Sequence, residues 1–474
     1  MNLKYNRLEL NESYFWLNPN GERVKKPTFA YSTTSDGLTA IQVAKKFNSV
    51  GFSTIYVSHA LTQGRNGINP GDLVYFKANN ERGVNSLGRT EESMGSCEDV
   101  AEVLCHYLIR NMSNALGQQA VLKTTPYDFA DLHHSDFWEI NAKKTARIVQ
   151  SDRLYGCISK NCVAENGEII HGNALLAQIF PTKEVSKSSN NTIYNYEQAA
   201  ELFQQQAARA GQTVIIDPIC SRYNANTMFL DYFTANGDRH YKNINYQKVA
   251  LPDGRFILEP LAILDNGGAF AMQSPNCQKL YAEQSAVLER YGMYASSPDK
   301  HFNPFSTQID FSSGKASYKD PQIQAMYDER GGFLPPVYEV VMLASQNAVL
   351  FQDLKNMYQT LDAQQALMDM KADLKFPSNF LPDMDRIIPA ALDFKRLEIS
   401  QTMAQLMGVE FNNQLFCQDT NFYINQFESF VKEDELTCHI ATDQEIKDFN
   451  TEFRPELVAD PAKQLVLDLP PEQQ

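Results

Sequence analysis

Between residues 227 and 270 the chain is punctuated more tightly than anywhere else, and that stretch restricts what it can fold into. Met228, Phe229, Tyr232 and Phe233 fall on one side at helical spacing. Asn236-Gly237 then supplies the positive-φ residues that commonly end such a helix. A polar cluster follows, with Asn243 placed five positions after Asp238. Two short β-like runs, Ile244 to Val249 and Arg255 to Leu258, flank the turn Pro252-Asp253-Gly254. The chain then reaches Asp265, an isolated acid between an apolar run and a glycine pair. A helix end and the hairpin after it thus bring three oxygen-bearing side chains into one neighbourhood.

An Asp, an Asn five residues later, a hairpin and then Asp-x-Gly is the order of parts in the catalytic loop of protein-kinase-like enzymes. Phosphoryl transfer needs a carboxylate to orient and deprotonate the attacking hydroxyl, and hard oxygen ligands to hold Mg²⁺ against the phosphates. Each half taken alone also reads as a helix C-cap with a polar turn, or as an Asp-Asn-Gly turn closing a hairpin. Both halves in this order favour the catalytic reading. More closely, Ala235-Asn-Gly-Asp-Arg-His-Tyr-Lys-Asn243 and Leu258-Glu-Pro-Leu-Ala-Ile-Leu-Asp265 resemble the HipA-like branch of the kinase superfamily. Its catalytic loop reads Gly-Asn-x-Asp-x-His-x-x-Asn, and its metal-binding Asp follows a Leu-x-Pro run. Phosphoinositide kinases share Gly-Asp-Arg-His-x-x-Asn and are the neighbouring family. One departure from eukaryotic-type kinases is that Asp265 precedes Asn-Gly-Gly rather than Phe-Gly.

The resemblance implies an α+β, two-lobed protein-kinase-like fold, with a small β-rich N-lobe carrying one main helix and a larger, mostly helical C-lobe. It implies ATP and Mg²⁺ as cofactors, Asp238 as the base, and Asn243 with Asp265 as metal ligands. Arg239 is then available to contact substrate or a phosphorylated loop, and His240 braces the catalytic loop.

Residues 1–63 read as a mixed N-terminal extension. Leu3 to Leu10 and Ser53 to Ser58 have strand character, and Ala40 to Phe47 reads as a short helix. The N-lobe is expected over 64–182. It opens with Gly64-Arg-Asn-Gly67 and Pro70-Gly71 before a strand from Asp72 to Ala78. Backbone amides of a turn containing Gly64 and Gly67 suit phosphate oxygens, and Lys77 suits the α- and β-phosphates. Lys77 reads equally as a solvated strand-end lysine, and the resemblance favours the nucleotide role. The helix from Ser96 to Ile109 carries an apolar stripe of Val100, Val103, Leu104, Tyr107 and Leu108. Glu98 holds the position of the family's lysine-pairing glutamate, although Glu98 and Glu102 both lie away from the stripe. Ala120 to Thr124 and Tyr155 to Ser159 read as further strands. His133-His134 lacks further ligands for a metal.

Lys183 to Thr192 reads as an exposed linker, ahead of a helix from Tyr196 to Ala210. The C-lobe is expected over 193–450, with the catalytic loop at 235–270, a polar broken segment at 296–320, and an acidic tail at 451–474. Leu367-Met-Asp-Met370 reads as core filler.

Composition narrows the function classes. The formal net charge is −15, which disfavours direct nucleic-acid binding, since that needs a basic surface to release counterions. Eight cysteines include no zinc spacing, no run is long enough to span a membrane, and no apolar leader opens the chain. These features suit a cytoplasmic protein, or one delivered into another cell by a specialised system. The expected partners are a protein substrate and a protein regulator, as for toxin-type relatives. A phosphoinositide or small-molecule kinase is one alternative, but the stretch after Asp265 carries only scattered lysines. A pseudokinase-type regulator is another, but a binding scaffold has no need of Asp238, Asn243 and Asp265 together.

Overall fold

β-Branched and aromatic residues in the N-terminal part build a closed five-stranded sheet. Its strands are β1 (Thr39–Lys46), β2 (Ile55–Ala60), β3 (Leu73–Ala78), β4 (Tyr127–His133) and β5 (Arg153–Lys160). The spatial order is β1-β2-β3-β5-β4, with β1 closing on β4 in parallel and the other pairs antiparallel. In β3 the side chains alternate: Val74 and Phe76 are fully buried, while Tyr75 and Lys77 face the other way. The structure, a computed structural model, describes residues 39–46, 55–78, 98–117, 121–133, 153–161, 167–171, 192–194, 196–236, 239, 243–271, 306–310, 315–318, 321–329, 336–345, 347–374, 384–431, 443–453 and 455.

Three sequence expectations change here. Ala40 to Lys46, expected as part of a helix running to Phe47, lies in β1, because pairing with β2 and β4 outweighs the helical preference of its Ala, Gln and Lys residues; Phe47 lies outside the described residues. β1 and β2 therefore belong to the same sheet as β3, although they fall inside the expected extension 1–63. The strand expected at Ala120 to Thr124 contributes only a bridge from Thr124 to Ile263, and β4 starts at Tyr127. Leu3 to Leu10 lies outside the described residues.

Between β3 and β4 runs α1 (Glu98–Leu116), which is buried from Val100 to Ile109 on every side. The rest of the chain is mostly helical. Its strands are β6 (Gly167–His171), β7 (Thr192–Tyr194), β8 (Val214–Ile216), β9 (Ile244–Ala250), β10 (Phe256–Ile263), β11 (Ser306–Asp310) and β12 (Lys315–Tyr318). Its helices include α2 (Tyr196–Arg209), α3 (Ile219–Thr234), α4 (Pro321–Glu329), α5 (Pro336–Ser345), α6 (Ala348–Thr360), α7 (Ala363–Leu374) and α8 (Met384–Leu406). The expected α+β architecture holds, with a small β-rich part around one main helix and a larger helical part. One apolar core runs from Val100 in α1 through Phe229 and Phe233 in α3 to Phe427. Leu367 and Met370 join that core, whereas Met368 is exposed. No helix among the described residues is long and apolar enough to cross a membrane.

The stretch around 227–270 folds nearly as its pattern demands. α3 stops at Ala235, in the left-handed region at φ 52°, one residue before the expected Asn236-Gly237. There the Asn236 N–H donates to the Asp231 carbonyl at 2.9 Å and its side chain to the Asp231 carboxylate at 3.2 Å. Gly237 lies outside the described residues. β9 and β10 pair as a hairpin through a turn containing Gly254 at φ +83°. The register slips between Pro260 and Ala262, where a residue without an N–H weakens the ladder. Of the expected linker and polar segment, Thr192 and the strands β11 and β12 are described, and they form one small sheet with β7. His134 and most of the tail lie outside the described residues.

Candidate active site

Four side chains from three distant parts of the sequence converge. β3 delivers Lys77, α1 delivers Glu102, and the two ends of the β9–β10 hairpin deliver Asn243 and Asp265. Lys77 Nζ lies 3.2 Å from Glu102 Oε1 and 2.8 Å from Asp265 Oδ1. Asn243 Nδ2 donates to the other Asp265 oxygen at 3.3 Å. The backbone N–H of Asn266 donates to Glu102 Oε2 at 2.7 Å, so one glutamate links the lysine to the backbone just past the aspartate. Burial pushes the Glu102 carboxyl up to about 7, and the Lys77 ammonium offsets part of that push. Asp265 is the open member, with its side chain 39% exposed against 3% for Glu102.

Asp265 also sits at φ 55°, a left-handed conformation that a non-glycine residue adopts at a cost on the order of 1 kcal/mol. Its neighbours impose it. Leu264 N–H donates to the Asn243 carbonyl at 2.9 Å, and Ile263 N–H to the Lys123 carbonyl at 3.1 Å. On the far side, Asn266 is held by Glu102. The carboxylate is thereby aimed at Lys77 and Asn243.

Beneath this cluster lies Arg239, 1% exposed. Its guanidinium meets Asp231 of α3 with Nε at 2.9 Å and Nη2 at 3.0 Å from the two carboxylate oxygens. Nη1 donates to the Asn243 carbonyl at 3.2 Å and to the Leu264 carbonyl, and Nη2 also reaches the Asn266 side chain. Arg239 therefore ties the end of α3, the polar loop and both ends of the hairpin. The expectation that it contacts substrate is corrected: every donor direction is taken up by an acceptor within the fold. It is the brace, a role the sequence reading gave to His240, which lies outside the described residues.

Lys77 pairs with Glu102; Glu98, the glutamate expected to pair with it, stands one turn earlier at the start of α1, and its side chain lies outside the described residues. A second row of apolar residues on α1 (Ala101, Cys105, Ile109 and Met112) buries the flank that holds Glu102. That row, at three- and four-residue spacing, was the available signal for a buried Glu102. The turn containing Gly64 and Gly67 lies at the wrong end of β3: it precedes Leu73, whereas Lys77 is about 13 Å further along the strand. Its polar groups are also engaged internally. Gly64 N–H donates to the Ile68 carbonyl at 2.9 Å, Arg65 N–H to Asp128 at 2.7 Å, and the Asn66 side chain to the Tyr127 carbonyl at 2.8 Å. It is a structural turn.

Asp238 lies outside the described residues, between Asn236 and Arg239, which the structure fixes on either side. Asp265, partly open, and the buried Asn243 beside it offer a carboxylate and a side-chain amide, a donor set suited to a hard divalent cation such as Mg²⁺. Among the described residues no group of three or more His, Cys, Asp or Glu forms a self-sufficient metal site. A cation with two protein ligands completes its shell with phosphate and water, as Mg²⁺ commonly does.

No protein family matches the chain, and no curated protein does. Among solved structures, the crystal structure of a Helicobacter pylori proinflammatory kinase, CtkA, aligns over 71% of this chain and 92% of that chain, at 13% identity and a TM-score of 0.36. A likeness that loose carries no weight for fold or activity. The chemistry of the site stands on its own four side chains and the arginine beneath them.

Proposed function

We propose that this chain transfers the γ-phosphoryl group of ATP to a Ser or Thr hydroxyl of a protein. The observation that supports it is the convergence of Lys77, Glu102, Asn243 and Asp265. A buried glutamate orients an ammonium toward an open carboxylate, and that carboxylate stands beside an amide. Lys77 binds the α- and β-phosphate oxygens, and Glu102 keeps its ammonium aimed at them. Asp265 and Asn243 hold Mg²⁺, which when bound neutralises charge on the phosphates. Asp238 accepts the proton of the attacking hydroxyl. That oxygen bonds to the γ-phosphorus as the bond from phosphorus to the β,γ-bridging oxygen breaks, and ADP leaves. Catalysis here is positioning and charge neutralisation, so the rigidity supplied by Arg239 matters as much as the groups themselves. The choice of a protein hydroxyl as acceptor follows the catalytic-loop resemblance.

The test is transfer of label from γ-labelled ATP with Mg²⁺, run in parallel with no added acceptor, a generic protein acceptor and phosphoinositide vesicles. Label in protein, lost in both Asp238→Asn and Lys77→Met, is the expected result. Label in the lipid alone would move the assignment to a lipid kinase, and undiminished transfer by both variants would end it.

A further inference from the structure

The helix that carries Glu102 is gripped from outside the site. Beyond Glu102 on α1, Tyr107 Oη donates to Asp373 Oδ2 at 2.9 Å, and Arg110 Nη1 reaches the same oxygen at 3.3 Å. Arg110 Nη2 lies 3.8 Å from Asp369, and Asn111 Nδ2 donates to that carboxylate at 2.8 Å. The Arg110 guanidinium stacks on the Tyr107 ring, 4.2 Å from its centre. Asp369 and Asp373 are four residues apart on α7, so they form a single acidic step facing α1. On the other side, Asn66 of the β2–β3 turn accepts from Arg110 Nη1 at 3.0 Å. The outer half of α1 is thus fastened to a helix of the larger part, more than 250 residues away in sequence.

Ordinary helix packing does not require this. An apolar contact would set α1 against α7 by interdigitation alone, which selects among neighbouring registers less sharply than directed hydrogen bonds do. Directed hydrogen bonds from Tyr107, Arg110 and Asn111 to two carboxylates fix rotation and register. A helix is stiff, and Arg110 stands about 12 Å along the axis from Glu102, so a shift at one end appears at the other. Arg110 is 26% exposed and Asp373 42% exposed, so the charged part of the grip is open to solvent and weakened by salt.

We infer that the α1–α7 contact is a latch that sets the position of Glu102 against Lys77. Tyr107, Arg110, Asp369 and Asp373 are positioning residues for the nucleotide site. They touch neither nucleotide nor metal and act through α1. The link to ATP rests on the proposed phosphoryl transfer, while the mechanical link between α7 and Glu102 stands without it.

The test uses the full-length chain and the variants Asp369→Asn/Asp373→Asn, Arg110→Gln and Arg110→Lys, read by amide hydrogen exchange and by steady-state kinetics with Mg²⁺ and ATP. In the double variant, exchange across residues 98–108 should speed up about tenfold while α8 keeps its protection. KM for ATP should rise about tenfold with kcat changed less than about twofold, since the reacting groups remain in place. Arg110→Lys keeps the charge but not the forked contacts or the stacking on Tyr107, so it should restore only part of the loss. Raising NaCl from roughly 0.05 to 0.5 M also screens Lys77 from the phosphates in both proteins, so KM should rise in both and more steeply in the wild type than in the double variant. Unchanged α1 exchange in the double variant, or an unchanged KM in an active one, overturns the latch. Should exchange rise in α8 as well, the double variant is unfolding globally and Arg110→Gln decides by the same two readouts. If the wild type transfers no phosphate, the phosphoryl-transfer reading fails, and exchange in α1 alone judges the latch.

Discussion

Arg239 faces Asp231 side on, each carboxylate oxygen taking one guanidinium N–H, and both residues are buried. Removing one member strands the other as a buried charge. Asp231→Ala is expected to lower unfolding free energy by about 3–5 kcal/mol, measured by urea denaturation. Asp231→Leu combined with Arg239→Met should recover only part of that stability: an apolar pair avoids the desolvation of two ions, but it removes the donor to the Asn243 and Leu264 carbonyls and the Asn266 side chain and the acceptor for Asn236. The double variant should still transfer no phosphate, since the guanidinium also anchors the Asn243 and Leu264 carbonyls. Full activity in the repacked variant would show that the brace is dispensable.

Glu98 and Glu102 give opposite expectations. Glu102→Gln removes the charge that aims Lys77, and a lost charge-assisted pair of 1.5–3 kcal/mol corresponds to a fall in kcat/KM of about 10–100-fold. Glu98→Gln should stay within about twofold of wild type. Kinetics on the two single variants under identical Mg²⁺ and ATP decide the matter. A larger loss from Glu98→Gln would reverse the pairing seen here.

What the sequence made legible was local, and what it hid depended on tertiary contacts. The hairpin strands Ile244 to Val249 and Arg255 to Leu258, the end of α3 and the acid at 265 could all be read from turn residues and periodicity within a few positions, whereas the second strand runs on to Ile263. Lys77 is ambiguous from its strand alone, which equally fits a solvated strand-end lysine; only the catalytic-loop resemblance singles it out. The turn containing Gly64 and Gly67 was misassigned, because which end of β3 faces the site depends on how β2, β3 and β5 close into one sheet. Glu102 appeared solvated because a single apolar stripe was counted, whereas α1 is packed on all sides. Asp231 carried no signal as a partner for Arg239, since their meeting requires the chain to reverse at Ala235. The Ala, Gln and Lys residues of β1 favour a helix locally, and only its two neighbours make it extended.

Asp265 and Asn243 should separate in their dependence on metal. On the proposed metal role, Asp265→Asn removes an anionic ligand and is expected to lower transfer by about 10²–10³-fold or more, the range seen when one electrostatic contact to a developing charge is deleted. Asparagine tolerates the left-handed φ of 55° at this position, so the melting temperature should stay nearly unchanged. Asn243→Ala leaves the carboxylate in place. Its rate should recover partly as Mg²⁺ is raised, whereas that of Asp265→Asn should not. Titrating Mg²⁺ at saturating ATP against initial rate checks both outcomes. Full recovery of Asp265→Asn at high Mg²⁺ would remove Asp265 from the metal site.

His106 stands one turn after Glu102 and makes folding sensitive to acid. Burial first, and then the Arg110 guanidinium, push its imidazole from 6.5 down to about 3. Below pH 6.5 the unfolded chain binds a proton at this residue that the folded chain refuses. Its contribution to stability is therefore complete above pH 6.5 and is lost as pH falls toward 3, at about 1.4 kcal/mol per pH unit. His106→Gln removes the titration and leaves the other acid-sensitive groups alone. Urea denaturation at pH 6 and at pH 4 should show the wild type losing about 2–3 kcal/mol more than the variant over that interval. Equal losses in the two proteins would mean that the folded state accepts the proton, which a ring packed against Tyr107 and Tyr127 and only 6% exposed is not arranged to do.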